Sequence, residues 1–261
     1  MEFGICVLSA VGVRERPDHR YEMVSQLLFG EMFEILEQRN GWYHIRMVYD
    51  NYQGWVPVHQ AESLSYDEYM ALKNHPPMVT GDLLAFMQDQ TSHTSFPVSA
   101  GCSVYSPSNG QMAIGEKLFQ YPGQILDASE PAHEHLADYA MLFLNAPYLW
   151  GGRSVFGLDC SGFVQIVFKM AGIKIPRDAA IQAAQGEAIH LVHEARPGDL
   201  LFFDNQEGEI NHVGILLQEG FIIHAHGKVR IDRIDHNGIY DVDTNKYTHT
   251  LRLIKRIPLK T

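Results

Sequence analysis

Three residues constrain this fold more than any other feature, because they share one chemistry only if the fold brings them together. Cys160 stands in Leu158-Asp159-Cys160-Ser161-Gly162-Phe163-Val164. His212 opens His212-Val213-Gly214-Ile215, 52 residues later, and His224 lies in Ile222-Ile223-His224-Ala225, 12 residues further on. A cysteine, then a histidine on a β-strand, then a polar residue on the next strand is the order of a Cys/His/His triad, which points to a cysteine hydrolase.

That chemistry needs a thiolate or a base that can make one. Cys160 is placed at the start of a helix, whose unpaired N–H groups and dipole favour an anion. His212 is the candidate base, and His224 is the candidate third group that orients the imidazole and fixes its tautomer. An antiparallel strand pair would set the two histidines side by side. Taken singly, each residue has an ordinary structural reading. A cysteine in an apolar helix is usually core, and the chain has 14 histidines.

The order of elements predicts an α+β fold. Residues 1–65 read as short strands around Asn40-Gly41, a strong hairpin turn signal, and suggest a small all-β barrel. Residues 66–128 read as a short helix and linker and then a second, degenerate barrel. From 129 onward, Ser129-Glu130-Pro131 suggests a helix start. Leu136, Tyr139, Ala140, Phe143 and Leu144 follow at helical spacing, and a second helix begins near Cys160 and ends at Gly172. Strands are then expected around 200–203, 212–217, 220–225 and 250–254. Helices followed by a run of strands indicate an α+β domain over 129–261.

Composition removes several classes of function. The chain has 261 residues and a formal net charge of −11, with no Lys/Arg run. A nucleic-acid partner needs a basic footprint, and so does an anionic membrane surface. No apolar segment approaches membrane-spanning length, and Gly4-Ile5-Cys6-Val7-Leu8 is too short for a signal core. The expectation is a cytoplasmic monomer, or a periplasmic or secreted protein if a leader was removed. The three cysteines are far apart and form no disulfide framework, which suits a reducing compartment. His133-Glu134-His135, His190 with His193, and His224-Ala225-His226 lack a zinc-type pattern, so no metal or cofactor is expected. Arg153 and Asp199 are read as structural turn residues.

The motifs together resemble a known family. Tyr148-Leu149-Trp150-Gly151-Gly152, the Cys160 block, Ile175-Pro176-Arg177-Asp178, Arg196-Pro197-Gly198-Asp199-Leu200, His212-Val213-Gly214-Ile215 and Ile223-His224-Ala225 match the NlpC/p60 cysteine peptidases in order and spacing. The resemblance implies a papain-like core acting on an amide bond of peptidoglycan peptides. It makes Cys160 the nucleophile, His212 the base and His224 the orienting residue. Tyr148 is implied to sit near the nucleophile and help the oxyanion, with the Cys160 backbone N–H as a second donor. Gly30-Glu31, Gly41-Trp42-Tyr43 and Gly54-Trp55-Val56-Pro57 are similar to bacterial SH3-like domains.

The whole chain resembles the γ-D-glutamyl-L-diamino-acid endopeptidases (dipeptidyl-peptidase VI type). Their partner is a murein peptide, L-Ala-γ-D-Glu-diamino acid, with a free N-terminal amine. The resemblance implies that Asp159 and Ser161 contact the L-Ala-γ-D-Glu portion. It also implies that Tyr52 and an acidic group of the first SH3-like domain help close the pocket. That acidic group is expected near Gln26, where this chain has Val24; Glu22 is the nearest acid. Ala179 stands where the recycling enzymes tend to carry serine. Three other activities compete with this reading: secreted wall lysis, wall binding with a weak catalytic domain, and acyl transfer by the same Cys/His chemistry.

Overall fold

Asn40 and Gly41 both take positive φ, 50° and 78°, as the two central residues of a type I′ hairpin require. They join β4 (Met32–Arg39) to β5 (Trp42–Met47), with Arg39 paired to Trp42. The turn thus sets the register of the N-terminal sheet in this computed structural model, which describes residues 2–105 and 110–258. The other strands of the sheet are β1 (Glu2–Ile5), β2 (Ala10–Arg14), β3 (Met23–Leu28), β6 (Gln53–Pro57) and β7 (Glu62–Leu64). They run antiparallel in the order β3-β2-β6-β5-β4-β1-β7. Alternation decides which face is buried. Val11 and Val13 of β2, Ile45 and Met47 of β5, and Val56 of β6 share one core with Leu27 and Phe33.

Helix α1 (Tyr66–Lys73) starts at a capping box, in which Ser65 and Glu68 satisfy each other's backbone N–H. Beyond it, β9 (Leu84–Asp89), β10 (Thr94–Ser99), β12 (Gln111–Ile114) and β13 (Lys117–Gln120) form one sheet. The strands β8 (Met78–Thr80), β11 (Ser103–Val104) and β14 (Ile125–Asp127) form another. Phe29 packs edge-on against Phe119 at 5.1 Å, and the Tyr105 hydroxyl donates to the Gly30 carbonyl. By contact, this unit comprises Met1–Glu130 and also Trp150–Val155, which contains β15 (Arg153–Ser154).

Arg153 explains why that short segment belongs here. Its side chain is fully buried. Nη1 donates to the Gln26 carbonyl and to Glu31 Oε2, both at 2.7 Å, and Nη2 donates to Glu31 Oε1 at 3.0 Å. The Arg153 backbone N–H also donates to the Gln26 side chain at 2.8 Å. Burial opposes the charge, while the Glu31 carboxylate more than compensates and raises the guanidinium above its ordinary value. A turn residue was the expectation; the structure makes Arg153 a buried two-pronged ion pair. Gly151 beside it has φ 76°, and a Cβ there would fall 2.2 Å from the Met23 carbonyl oxygen, so the close approach requires glycine.

The second unit comprises Pro131–Leu149 and Phe156–Thr261. Its helix α2 (Leu136–Leu142) starts later than Ser129. The Ser129 N–H and hydroxyl both bond Asp127 Oδ1, so that residue closes a local turn and caps no helix. After β16 (Gly157–Leu158) comes α3 (Cys160–Met170), with every residue buried. Asp159 is its N-cap, accepting from the Gly162 N–H at 2.7 Å. Gly172, with φ 72°, follows its end.

Helix α4 (Ala179–Gln182) precedes the sheet strands β17 (Glu187–Ile189), β18 (Leu200–Asp204), β19 (Ile210–Gln218), β20 (Phe221–His226), β21 (Lys228–Asp235), β22 (Gly238–Asp241) and β23 (Lys246–Arg256). The sheet runs β17-β23-β18-β19-β20-β21-β22, with β22 also pairing β23. Helix α3 packs on β19 and β20, and α2 packs on α3. Asp199 is a turn residue as expected, accepting from the Arg196 N–H, and it also takes a charge-assisted bond from Arg256.

Candidate active site

The register of β19 and β20 builds the site. Gly214 faces His224 across the ladder. His212, two residues earlier on the same side of β19, is therefore a diagonal neighbour of His224. Their rings meet: His212 Nε2 and His224 Nδ1 are 2.8 Å apart. Both histidines are buried. Cys160, at the first turn of α3, lines the same cavity as His212, together with Tyr148, Asn211, Ala225, His226, Gly227 and His249. The cavity has a volume of about 390 Å³. The Cys160 thiol lies 3.9 Å from the Asn211 carbonyl oxygen.

Burial dominates the electrostatics. It pushes the Cys160 thiol up to about 12, helped by the nearby Asp159 carboxylate and opposed by the Val213 N–H and Arg177. The helix terminus was expected to favour thiolate; desolvation outweighs it. Burial also holds His212 well below its ordinary value, with His224, His249 and His226 adding to the effect. His224 is lowered by burial despite its bond to Asp232. Burial thus favours the neutral thiol and the neutral imidazole over their charged forms. Tyr148 is pushed up to about 12 by burial and by the Cys160 and Asp159 charges. It remains a hydroxyl donor through neutral pH.

The other expected residues have partners within their own units. Asp159 and Ser161 are buried and bound up with Arg177, whose Nη1 donates to Asp159 Oδ1 at 3.0 Å and to Ser161 Oγ at 2.8 Å. Neither lines the Cys160 cavity. Glu22, in the first unit, accepts a hydrogen bond from the Trp150 indole. Tyr52, also in the first unit, is half-buried against the apolar core of its sheet. The structure therefore brings Cys160, His212, His224 and Tyr148 together in the second unit.

Several neighbours went unassigned in the sequence. His249 stacks on His212 with ring centroids 4.2 Å apart, and burial lowers it to about 4. His224 Nε2 is 3.0 Å from Asp232 Oδ2. Within β21 the burial pattern breaks between Val229 and Asp232, so the sequence carried no clean alternation to mark this strand. Among the described residues, no group of three or more His, Cys, Asp or Glu side chains is arranged to hold a metal ion.

Two family models match parts of this chain. Residues 145–250 match the model of the NlpC/P60 family, and residues 13–60 match the bacterial dipeptidyl-peptidase Sh3 domain. A γ-D-glutamyl-L-lysine dipeptidyl-peptidase of Bacillus cereus is 28% identical over 231 residues, covering 78% of this chain and 67% of that protein. The protein of the same name from Bacillus subtilis is 29% identical over 219 residues, covering 77% and 71%. Among solved structures, an NlpC/P60 family protein from Bacillus cereus superimposes with a TM-score of 0.80 at 21% identity, covering 97% of this chain and 99% of that one.

Proposed function

We propose that this chain, which carries an NlpC/P60 domain and a bacterial SH3 domain, is a cysteine endopeptidase that hydrolyses the γ-D-glutamyl-L-diamino-acid bond of murein peptides. The observation that carries the reading is one cavity lined by a helix-borne Cys160 and by His212, whose far nitrogen lies 2.8 Å from His224. A helix-borne thiol beside a strand-borne imidazole is the papain-like arrangement. The names of the curated relatives supply the substrate class.

The assignment implies one route for the reaction. His212 Nε2 is engaged by His224, which leaves Nδ1 for the thiol proton. Cys160 Sγ attacks the γ-carbonyl carbon of D-glutamate as its proton passes to His212. The developing oxyanion takes hydrogen bonds from the Tyr148 hydroxyl and the Cys160 N–H. His212 then returns the proton to the leaving α-amine of the diamino acid, and the C–N bond breaks. A thioester to Cys160 remains. Water attacks it, giving one proton to His212, and the thiolate is expelled and reprotonated. The products are L-Ala-γ-D-Glu and the diamino-acid portion.

We assign three domains, 1–65, 66–128 and 129–261, the last of them catalytic. The role we assign is cytoplasmic recycling of released peptides. All three thiols are free, as a reducing compartment would keep them. Among the described residues no helix is long and apolar enough to cross a membrane.

Mass spectrometry of L-Ala-γ-D-Glu-L-Lys and its diaminopimelate counterpart tests the reading. Each would be offered with a free and with an acetylated N-terminus, to the wild type and to Cys160→Ala. Cleavage of the free-amine peptides by the wild type alone is the expected result. Equal cleavage of the acetylated peptides would indicate a wall-lytic role, and no cleavage would overturn the assignment.

A further inference from the structure

The hydrogen-bonded histidines have two possible proton orders, and only one leaves a base for Cys160. Either His212 Nε2 donates to His224 Nδ1, or the reverse. In the first order His212 Nδ1 carries a bare lone pair. In the second it carries the proton and cannot accept another.

We propose that Asp232, on β21, is a positioning residue whose carboxylate selects the productive order through His224. The inference rests on the Cys160/His212/His224 assignment above and extends it by one residue. Asp232 is almost fully buried and reaches His224 Nε2 at 3.0 Å. An ionised carboxylate only accepts, so His224 Nε2 must be the N–H. A neutral imidazole has a single N–H. Its Nδ1 is therefore bare, His212 Nε2 must donate to it, and His212 Nδ1 is left free.

Asp232 is kept ionised by its surroundings. Burial alone would protonate it, yet the His224 bond, the Val242 N–H and Arg230 together lower it to about 2. The Val242 N–H donates to Oδ1 at 3.1 Å, as does Arg230 Nη2 at 2.9 Å. Arg230 Nε stands 2.7 Å from Oδ2. Arg230 is itself shared with Asp241 and Asp243. The charge facing the histidines is thus buffered by a guanidinium and two further carboxylates. The other titratable groups around His224 are His212 on β19, His226 on β20 and His249 on β23. Among the described residues, Asp232 is the carboxylate bonded to this ring.

Asp232→Asn tests the idea, because its amide can donate to His224 and allow the reversed order. The expected result is a fall in kcat on the order of 100-fold or more with KM unchanged, in a protein that still folds by circular dichroism. The ¹⁵N–¹H spectrum of histidine-labelled protein would report the tautomers directly. In the wild type, His224 and His212 should both carry the proton on Nε2, and in the variant both should carry it on Nδ1. A wild type with His224 protonated on Nδ1 would overturn the proposal even if the variant fails to fold. So would a folded variant with wild-type kcat and wild-type tautomers. A wild type that cleaves none of the peptides would sink the substrate reading, and the tautomer spectrum would still decide the role of Asp232.

Discussion

Gly214 stands directly opposite His224, and a Cβ at position 214 would lie 2.9 Å from the His224 Cβ and 2.6 Å from Ile222 Cδ1. The missing side chain leaves room for His224 to reach His212. Gly214→Ala should therefore push His224 out of line and lower kcat by roughly 100-fold, the scale expected for a misplacement of about 1 Å. Steady-state kinetics with a circular dichroism check of folding would decide it. A folded alanine variant with normal kcat would show that the ladder tolerates the methyl group.

Cys160 should behave as a thiol in the resting protein. Its rate of alkylation by iodoacetamide should climb by about tenfold per pH unit through neutral pH and beyond, following the small thiolate fraction. A rate already level from about pH 6 upward would mean a preformed thiolate–imidazolium pair. The Cys160→Ala protein gives the background.

The acid limb of activity should lie below the ordinary histidine value of 6.5, because His212 is held well below it. Protonating His212 removes the base, and a lowered value delays that loss to more acidic solution. Activity should persist at pH 6 and fall at lower pH. A kcat profile that is half-lost at 6.5 would contradict the burial argument.

Stability should decline over the same direction of pH. His212, His224 and His249 are all lowered in the fold, so the unfolded chain binds protons that the folded chain refuses. Their contribution is fully present above about 6.5 and is lost as pH falls through the folded values. Asp232 adds to the decline only at lower pH, as its carboxyl titrates between the ordinary 3.8 and about 2. Urea midpoints measured from pH 7.5 down to 5 should fall steadily; a flat series would exclude this linkage.

Glu31→Gln or Arg153→Met should each cost about 3–5 kcal/mol, since either leaves a buried charge without its partner. The double variant should cost less than the sum of the two. Denaturant unfolding followed by tryptophan fluorescence would measure all three.

Cys160, His212 and His224 were legible as a set because their signals are local: a cysteine at a helix start, and two histidine-bearing strands close enough in sequence to pair. Asn40-Gly41 was legible for the same reason, as a turn whose φ values few other residues accept. Ser129 misled because its nearest competitor, Asp127, lies two residues away and wins its hydrogen bonds. Asp232 and His249 were hidden for a different reason. Each reaches the site through strand pairing across the sheet, and nothing in their immediate neighbours marks a strand face that ends beside a thiol. The hold of Arg177 on Asp159 and Ser161 was not legible, because it comes from 18 and 16 residues away in sequence.

The six residues Trp150–Val155 lie between stretches of the second unit yet take their contacts from the first. A catalytic fragment made by cutting at 130 would therefore inherit Arg153 while discarding Glu31 and Gln26. The guanidinium would have to find water, and the strand leading to Cys160 would begin from an untethered loop. The boundary that looks natural in the sequence is a poor place for scissors, and a fragment that keeps the Arg153 ion pair has to carry the N-terminal sheet with it.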